Sequence, residues 1–217
     1  MPGHVRVGGA WKTVSSPSVR VGGSWKSVSA GFTKVGGAWK QWYTAVAPGN
    51  FELLETQIMG GSQSSLTFSN VNSSYGTTYQ HLQIRYTARS SRVSADPMVI
   101  QLNGTTQTIN HHIYGNGSSA NDGTGGTSYA ILFAIAGTNL PSQAFGGGII
   151  EIVDPFETTK FKTIRSFSSA PIEAVSLDTA FWSTTSAVNT IQLSTFSGTN
   201  FASGSRFSLY GLRSVNG

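Results

Sequence analysis

The chain has 217 residues, 38% of them hydrophobic and 11% charged, with a formal net charge of +5 and no cysteine. That content supplies one substantial core plus a small appendage, and the bulky aliphatic and aromatic residues recurring throughout exclude an intrinsically disordered chain. The absence of cysteine excludes a disulfide scaffold and any thiolate zinc site, and no apolar run reaches the length of a membrane-crossing helix.

The chain opens on three copies of one unit, VRVGGAWKTV at 5–14, VRVGGSWKSV at 19–28 and TKVGGAWKQW at 33–42, at a fixed step of 14 residues. In each, a β-favouring run meets Gly-Gly and then a second run carrying Trp-Lys, the pattern of a β-hairpin closed by a two-residue turn. Gly8 and Gly9, Gly22 and Gly23, and Gly36 and Gly37 are the expected turns. This register sets Arg6 opposite Trp11, Arg20 opposite Trp25 and Lys34 opposite Trp39, where a cation over an indole face would add about 0.5–1 kcal/mol. A lone hairpin buries too little to hold itself together in water, so its faces call for a cover: another copy, a larger assembly, a membrane or a polyanion. Residues 1–43 carry Arg6, Lys12, Arg20, Lys26, Lys34 and Lys40 and no acidic residue. These charges are sparse, which favours attachment to protein; nucleic acid is not expected as a partner. The docking candidates are Arg6, Trp11, Lys12, Arg20, Trp25, Lys26, Lys34, Trp39, Lys40 and Trp42. The third copy departs from the pattern at Gln41 and Trp42, an ending expected to pack against the rest of the chain.

TAVAPGN at 44–50 is the expected linker, where the period has stopped and Pro48-Gly49 punctuates the chain. From Phe51 to the end, FELLETQIM, LTFSNV, YQHLQIRYTA, MVIQLN, TQTINHHIY, YAILFAIA, GGIIEIV, FKTIRSF, IEAVSL, VNTIQLS and SRFSLYGL read as strands, with no convincing amphipathic helix. The expected fold is therefore all-β, a two-sheet sandwich or closed barrel over 51–217 preceded by the hairpin array of 1–43. In 79–88, Leu82, Ile84, Tyr86 and Ala88 are expected inside, and His81, Gln83, Arg85 and Thr87 outside. YAILFAIA reads as buried on both sides or placed at a subunit interface. GNGSSANDGTGG at 115–126 and TNLPSQAFGGG at 138–148 read as exposed polar loops, and 154–167, with Lys160, Lys162 and Arg165, as a solvated strand edge.

Catalytic chemistry finds no footing. Adjacent His111 and His112 point to opposite faces of a strand and cannot hold one metal together. The nine carboxylates form no diagnostic pair, and no nucleophile elbow occurs. No enzyme activity, cofactor or metal is expected. A competing class, a module binding host surface glycans, would need exposed aromatic platforms, for which Tyr75, Tyr114 and Trp182 are the candidates.

Together the tandem VRVGGAWK-type units, FELLETQIMGG, NSSYGTTYQHLQIRYTARSS, IYGNGSS, IVDPFETTKFKTI and GSRFSLYGL resemble virion structural proteins of tailed bacteriophages, described as tail-fibre, minor tail or head-decoration components. The resemblance implies a non-enzymatic protein with a jelly-roll-like body, often trimeric, docked on capsid, neck or tail proteins by its N-terminal part. It also implies a place on the virion surface. The opening MPGHVRVGG lacks the apolar centre of a secretory signal, so synthesis in the host cytoplasm without cleavage is expected.

Overall fold

The computed structural model describes residues 3–14, 18–28, 30–44, 50–105, 108–125 and 130–213. The chain divides into two units, Met1–Pro48 and Gly49–Gly217.

The first unit is three separate two-stranded sheets: β1 (Gly3–Val7) with β2 (Ala10–Val14), β3 (Ser18–Val21) with β4 (Ser24–Ser27), and β5 (Ala30–Val35) with β6 (Ala38–Thr44). Each turn places both glycines at positive φ, 59° and 84° in the first two copies and 60° and 85° in the third. Two successive positive φ values make the mirror-image turn whose twist matches that of the strands, and glycine adopts it without a Cβ clash.

The described residues of the second unit form a sandwich of twelve strands. Its elements are β7 (Phe51–Ile58), β8 (Ser65–Ser69), α1 (Val71–Tyr75), β9 (His81–Ala88), β10 (Asp96–Leu102), β11 (Thr108–Gly115) and β12 (Ala120–Gly125). There follow β13 (Ala130–Ile135), β14 (Gly146–Val153), β15 (Lys162–Ala170), β16 (Ala174–Trp182), β17 (Thr190–Thr195) and β18 (Arg206–Leu212). The larger sheet runs β12-β11-β16-β15-β14-β9-β18-β7 and the smaller β13-β10-β17-β8, with antiparallel neighbours throughout. The pairings nest: β7 with β18, β8 with β17, β9 with β14, β10 with β13 and β11 with β12, the outer pairs alternating between the sheets. This is the wrapping of a jelly roll, into which the β15–β16 hairpin is inserted.

The core fills the space between the sheets. Leu82, Ile84, Tyr86 and Ala88 are buried as expected, against Ile150, Ile152, Ile164, Phe207 and Leu209 of the same sheet and Leu66, Phe68, Met98, Ile100, Ile191 and Leu193 of the other. Gln83, expected outside, is nonetheless covered by its neighbours and bonds Arg85 and Glu151.

Three local expectations are corrected. The stretch 115–126 contains strand β12, paired with β11 from Asn110–Gly125 to Gly115–Ala120; its turn is closed by Asn116 Oδ1, which accepts the backbone N–H groups of Ser118 and Ser119 at 3.0 and 2.9 Å. The strand read over LTFSNV stops at Ser69, and Val71 instead begins a one-turn helix, α1, entered through Asn70 at φ 58° and anchored by the burial of Val71. The segment 154–167 is no solvated edge, because β15 lies between β14 and β16 and Lys162 is wholly buried. Its ammonium donates to the carbonyls of Glu157, Lys160 and Thr185, tying two loops together, and burial lowers its pKa. The loop at 138–148 is likewise pinned, by the buried Arg89 guanidinium donating to the carbonyls of Leu140, Pro141 and Ala144. The side chains of 130–134, on which the reading of YAILFAIA turns, lie outside the described residues; Ile135 and Ala136 are buried.

Candidate functional site

The hairpins have the expected register, with Arg6 opposite Trp11, Arg20 opposite Trp25 and Lys34 opposite Trp39. Trp25 and Trp39 are 71% and 70% exposed, and Val19, Val21, Phe32 and Val35 are exposed as well. Lys26, Lys34 and Lys40 stand in solvent beside them. The second and third hairpins therefore carry exposed apolar groups on both faces. Among the described residues the expected cation–π pairs of Arg20 and Lys34 do not form: Arg20 Nε donates to the Gly23 carbonyl at 3.3 Å, and the cation–π contacts involve Arg85 and Arg213 instead. The guanidinium prefers a carbonyl acceptor at its own turn over a solvent-washed ring face. The indoles of Trp25 and Trp39 are left open to solvent. The side chains of Arg6, Trp11, Lys12 and Trp42 lie outside the described residues.

The three glycan candidates sit on three different elements. Trp182 is a core residue, 2% exposed, its indole N–H donating to Thr105 Oγ1 at 2.7 Å, so it offers no platform. Tyr75 leans on the core from α1, edge-on to Tyr79 at 6.3 Å. Tyr114 lies half-buried on β11, 5.8 Å from the His112 ring and about 20 Å along the sheet from Trp182 at the strand rise of ~3.3 Å per residue.

Sequence reasoning missed a polar cleft of about 280 Å³ lined by Gly76, Tyr79, Gln80, Asp154, Phe156, Glu157 and Lys160. Asp154 sits there at φ 47°, its backbone N–H donating to His81 Nδ1 at 3.0 Å and its carboxylate paired with Lys160. Burial alone would raise the Asp154 pKa, but hydrogen bonds from Lys160 and Gln80 outweigh it and the carboxyl is held below its ordinary value. The pairing with Asp154 in turn raises Lys160. Beside the cleft, Tyr79 donates to Glu52, which also pairs with Arg213 at 3.2 Å; burial, then this bond, pushes the Tyr79 pKa up. Tyr79 and Arg213 share the Glu52 carboxylate, and Lys160 and Gln80 share that of Asp154.

Among the described residues no group of three His, Cys, Asp or Glu side chains could hold a metal ion. No helix of the described residues is long and apolar enough to cross a membrane. No protein family, curated protein or solved structure matches the chain. The class it belongs to is therefore defined by its architecture alone, an all-β sandwich preceded by β-hairpin repeats.

Proposed function

We propose that the chain is a non-enzymatic structural protein of a tailed bacteriophage particle, a small fibre, tail accessory or capsid-surface component. Its hairpins hold it to a capsid, neck or tail protein, and its sandwich, self-associated as a trimer, faces outward at the virion surface. The observation that carries this reading is the repeated hairpin with open faces, which also holds the positive charge. Residues 1–43 have six basic and no acidic side chains, whereas the remainder has eight basic and nine acidic ones. A segment so built gains by laying its indoles and cations against a partner surface.

Incorporation into purified virions tests it. Joint Trp→Ala changes at 11, 25 and 39 should reduce the bound amount more than joint changes of Arg6, Arg20 and Lys34 to Gln, because buried indole surface outweighs exposed charge pairs. The basic set should depend more steeply on salt. Undiminished incorporation of the triple Trp variant would overturn the anchor.

A module binding host surface glycans is the second reading, favoured by the cleft, whose polar lining and Tyr79 wall suit a hydroxylated ligand. Binding of a host surface polysaccharide that is lost on Tyr79→Ala would support it.

A further inference from the structure

Part of the outer face of the larger sheet is built the wrong way round for a surface in water. On β15 and β16 the side chains turned inward include Ser166, Ser168, Ser176 and Asp178, all buried, while Phe167, Val175 and Leu177 point outward and are exposed. Strand period alone would let a one-residue slip exchange these sets, so the fold keeps large apolar groups outside although polar ones take the inner places. Inside, Ser166 Oγ donates to Asp178 Oδ2 at 2.9 Å, which satisfies part of the polar set where it lies.

Cross-strand register lines the outward groups into one row. Ile113 stands opposite Leu177, Leu177 opposite Phe167, and Phe167 opposite Ile149, four neighbouring strands in succession. These four side chains are between 36% and 56% exposed. One rung away runs a polar row, His111, Thr179, Arg165 and Glu151, with Arg165 paired to Glu151 at 2.6 Å. Between the rows lies a groove of about 250 Å³ lined by Ile113 and Leu177 from the one and His111, Arg165 and Thr179 from the other, together with His112, Ser166 and Asp178. With Val175 the row makes an apolar patch on the order of 400 Å², within the range of the largest patch on a monomer and about half of one partner's share of a standard interface; Phe181 and Phe161 lie beyond the polar row.

We infer that a second copy of the chain packs on this face, with the row Ile113–Leu177–Phe167–Ile149 at the centre of the contact. A copy suits it for two reasons. A projecting phenyl, Phe167, and a groove adjoin on the same surface, so in a three-fold ring Phe167 of each copy can enter the groove of the next. The body's eight basic and nine acidic side chains nearly cancel, so two bodies meet without strong repulsion. The inference rests on the self-association in the proposed function and is independent of where on a virion the protein stands.

Light scattering coupled to size exclusion of the full chain, across the micromolar range, should give a mass above one chain, and Phe167→Asp with Leu177→Asp should reduce it to one. Ile172→Asn, which alters an exposed apolar residue outside the row, should leave it unchanged. Since the chain has no cysteine, Leu177→Cys supplies a single thiol whose labelling should slow about tenfold as concentration carries the protein into its assembled form, whereas a thiol at Ile172 should not slow. The labelling readout holds if the double Asp variant fails to fold. A single-chain mass at every concentration overturns self-association itself. An assembled mass with Leu177→Cys still labelled freely overturns only this face, and moves the contact elsewhere.

Discussion

Ile172 shows how a single residue can work against its own turn. It sits in the three-residue connection between β15 and β16 at φ 68°, 91% exposed, in a backbone region that β-branched residues avoid. Asparagine enters that region readily and no packing is lost at such an exposed site, so Ile172→Asn should stabilise the protein by about 1 kcal/mol, read as a higher urea midpoint. An unchanged midpoint would remove strain from the account of this turn. Asp154 also has positive φ, but there an Asp is tolerated and its charge is the point of interest. Its folded pKa lies below the ordinary 3.8, so its contribution to stability is present above that value and lost as pH falls through the lowered one. Asp154→Asn keeps the backbone preference and removes the charge. The variant should be less stable than the parent at neutral pH, and the difference should close in acid, as followed by urea unfolding across the acid range.

At the scale of elements, the strands were legible wherever apolar residues alternate cleanly, as in β9, where Leu82, Ile84, Tyr86 and Ala88 all turned inward. Strand β12, ANDGTG, escaped because all its residues but Thr124 disfavour strands; it forms as the return arm of a hairpin whose Asn116 closes the turn. The facing of β15 and β16 could not be read either. Alternation separates two faces, but with Phe167 and Leu177 on one and Ile164 and Trp182 on the other, it does not say which is inside. The hairpin register followed directly from Gly-Gly, because a two-residue turn leaves only one pairing. What that register does not carry is side-chain direction, and so Arg20 was placed over Trp25 when a nearer carbonyl takes it. The polar cleft was illegible for another reason: Tyr79, Asp154 and Lys160 are brought together by tertiary wrapping across more than seventy residues of chain.

For the molecule as a whole, the two units keep separate accounts. The body has its own core and its own pairings, from Phe51 with Leu212 to Asn110 with Gly125, and none of them draws on a hairpin strand. A chain lacking residues 1–43 should therefore unfold in one cooperative transition within about 2 °C of the full chain's body transition, by circular dichroism or calorimetry. A large fall in that midpoint would make the hairpins part of the core. The nested pairing also fixes an order in time. Strand β7 waits for β18, more than 140 residues later, and β18 then closes against β9 as well, so the larger sheet is incomplete until Leu212 has left the ribosome. Each hairpin needs only the two residues of its turn and can close in microseconds. At a synthesis rate of ~5–20 residues per second the stretch from β7 to β18 takes roughly ten to thirty seconds. During that interval the nascent chain already displays its tryptophan-bearing hairpins while the body behind them is still unfinished.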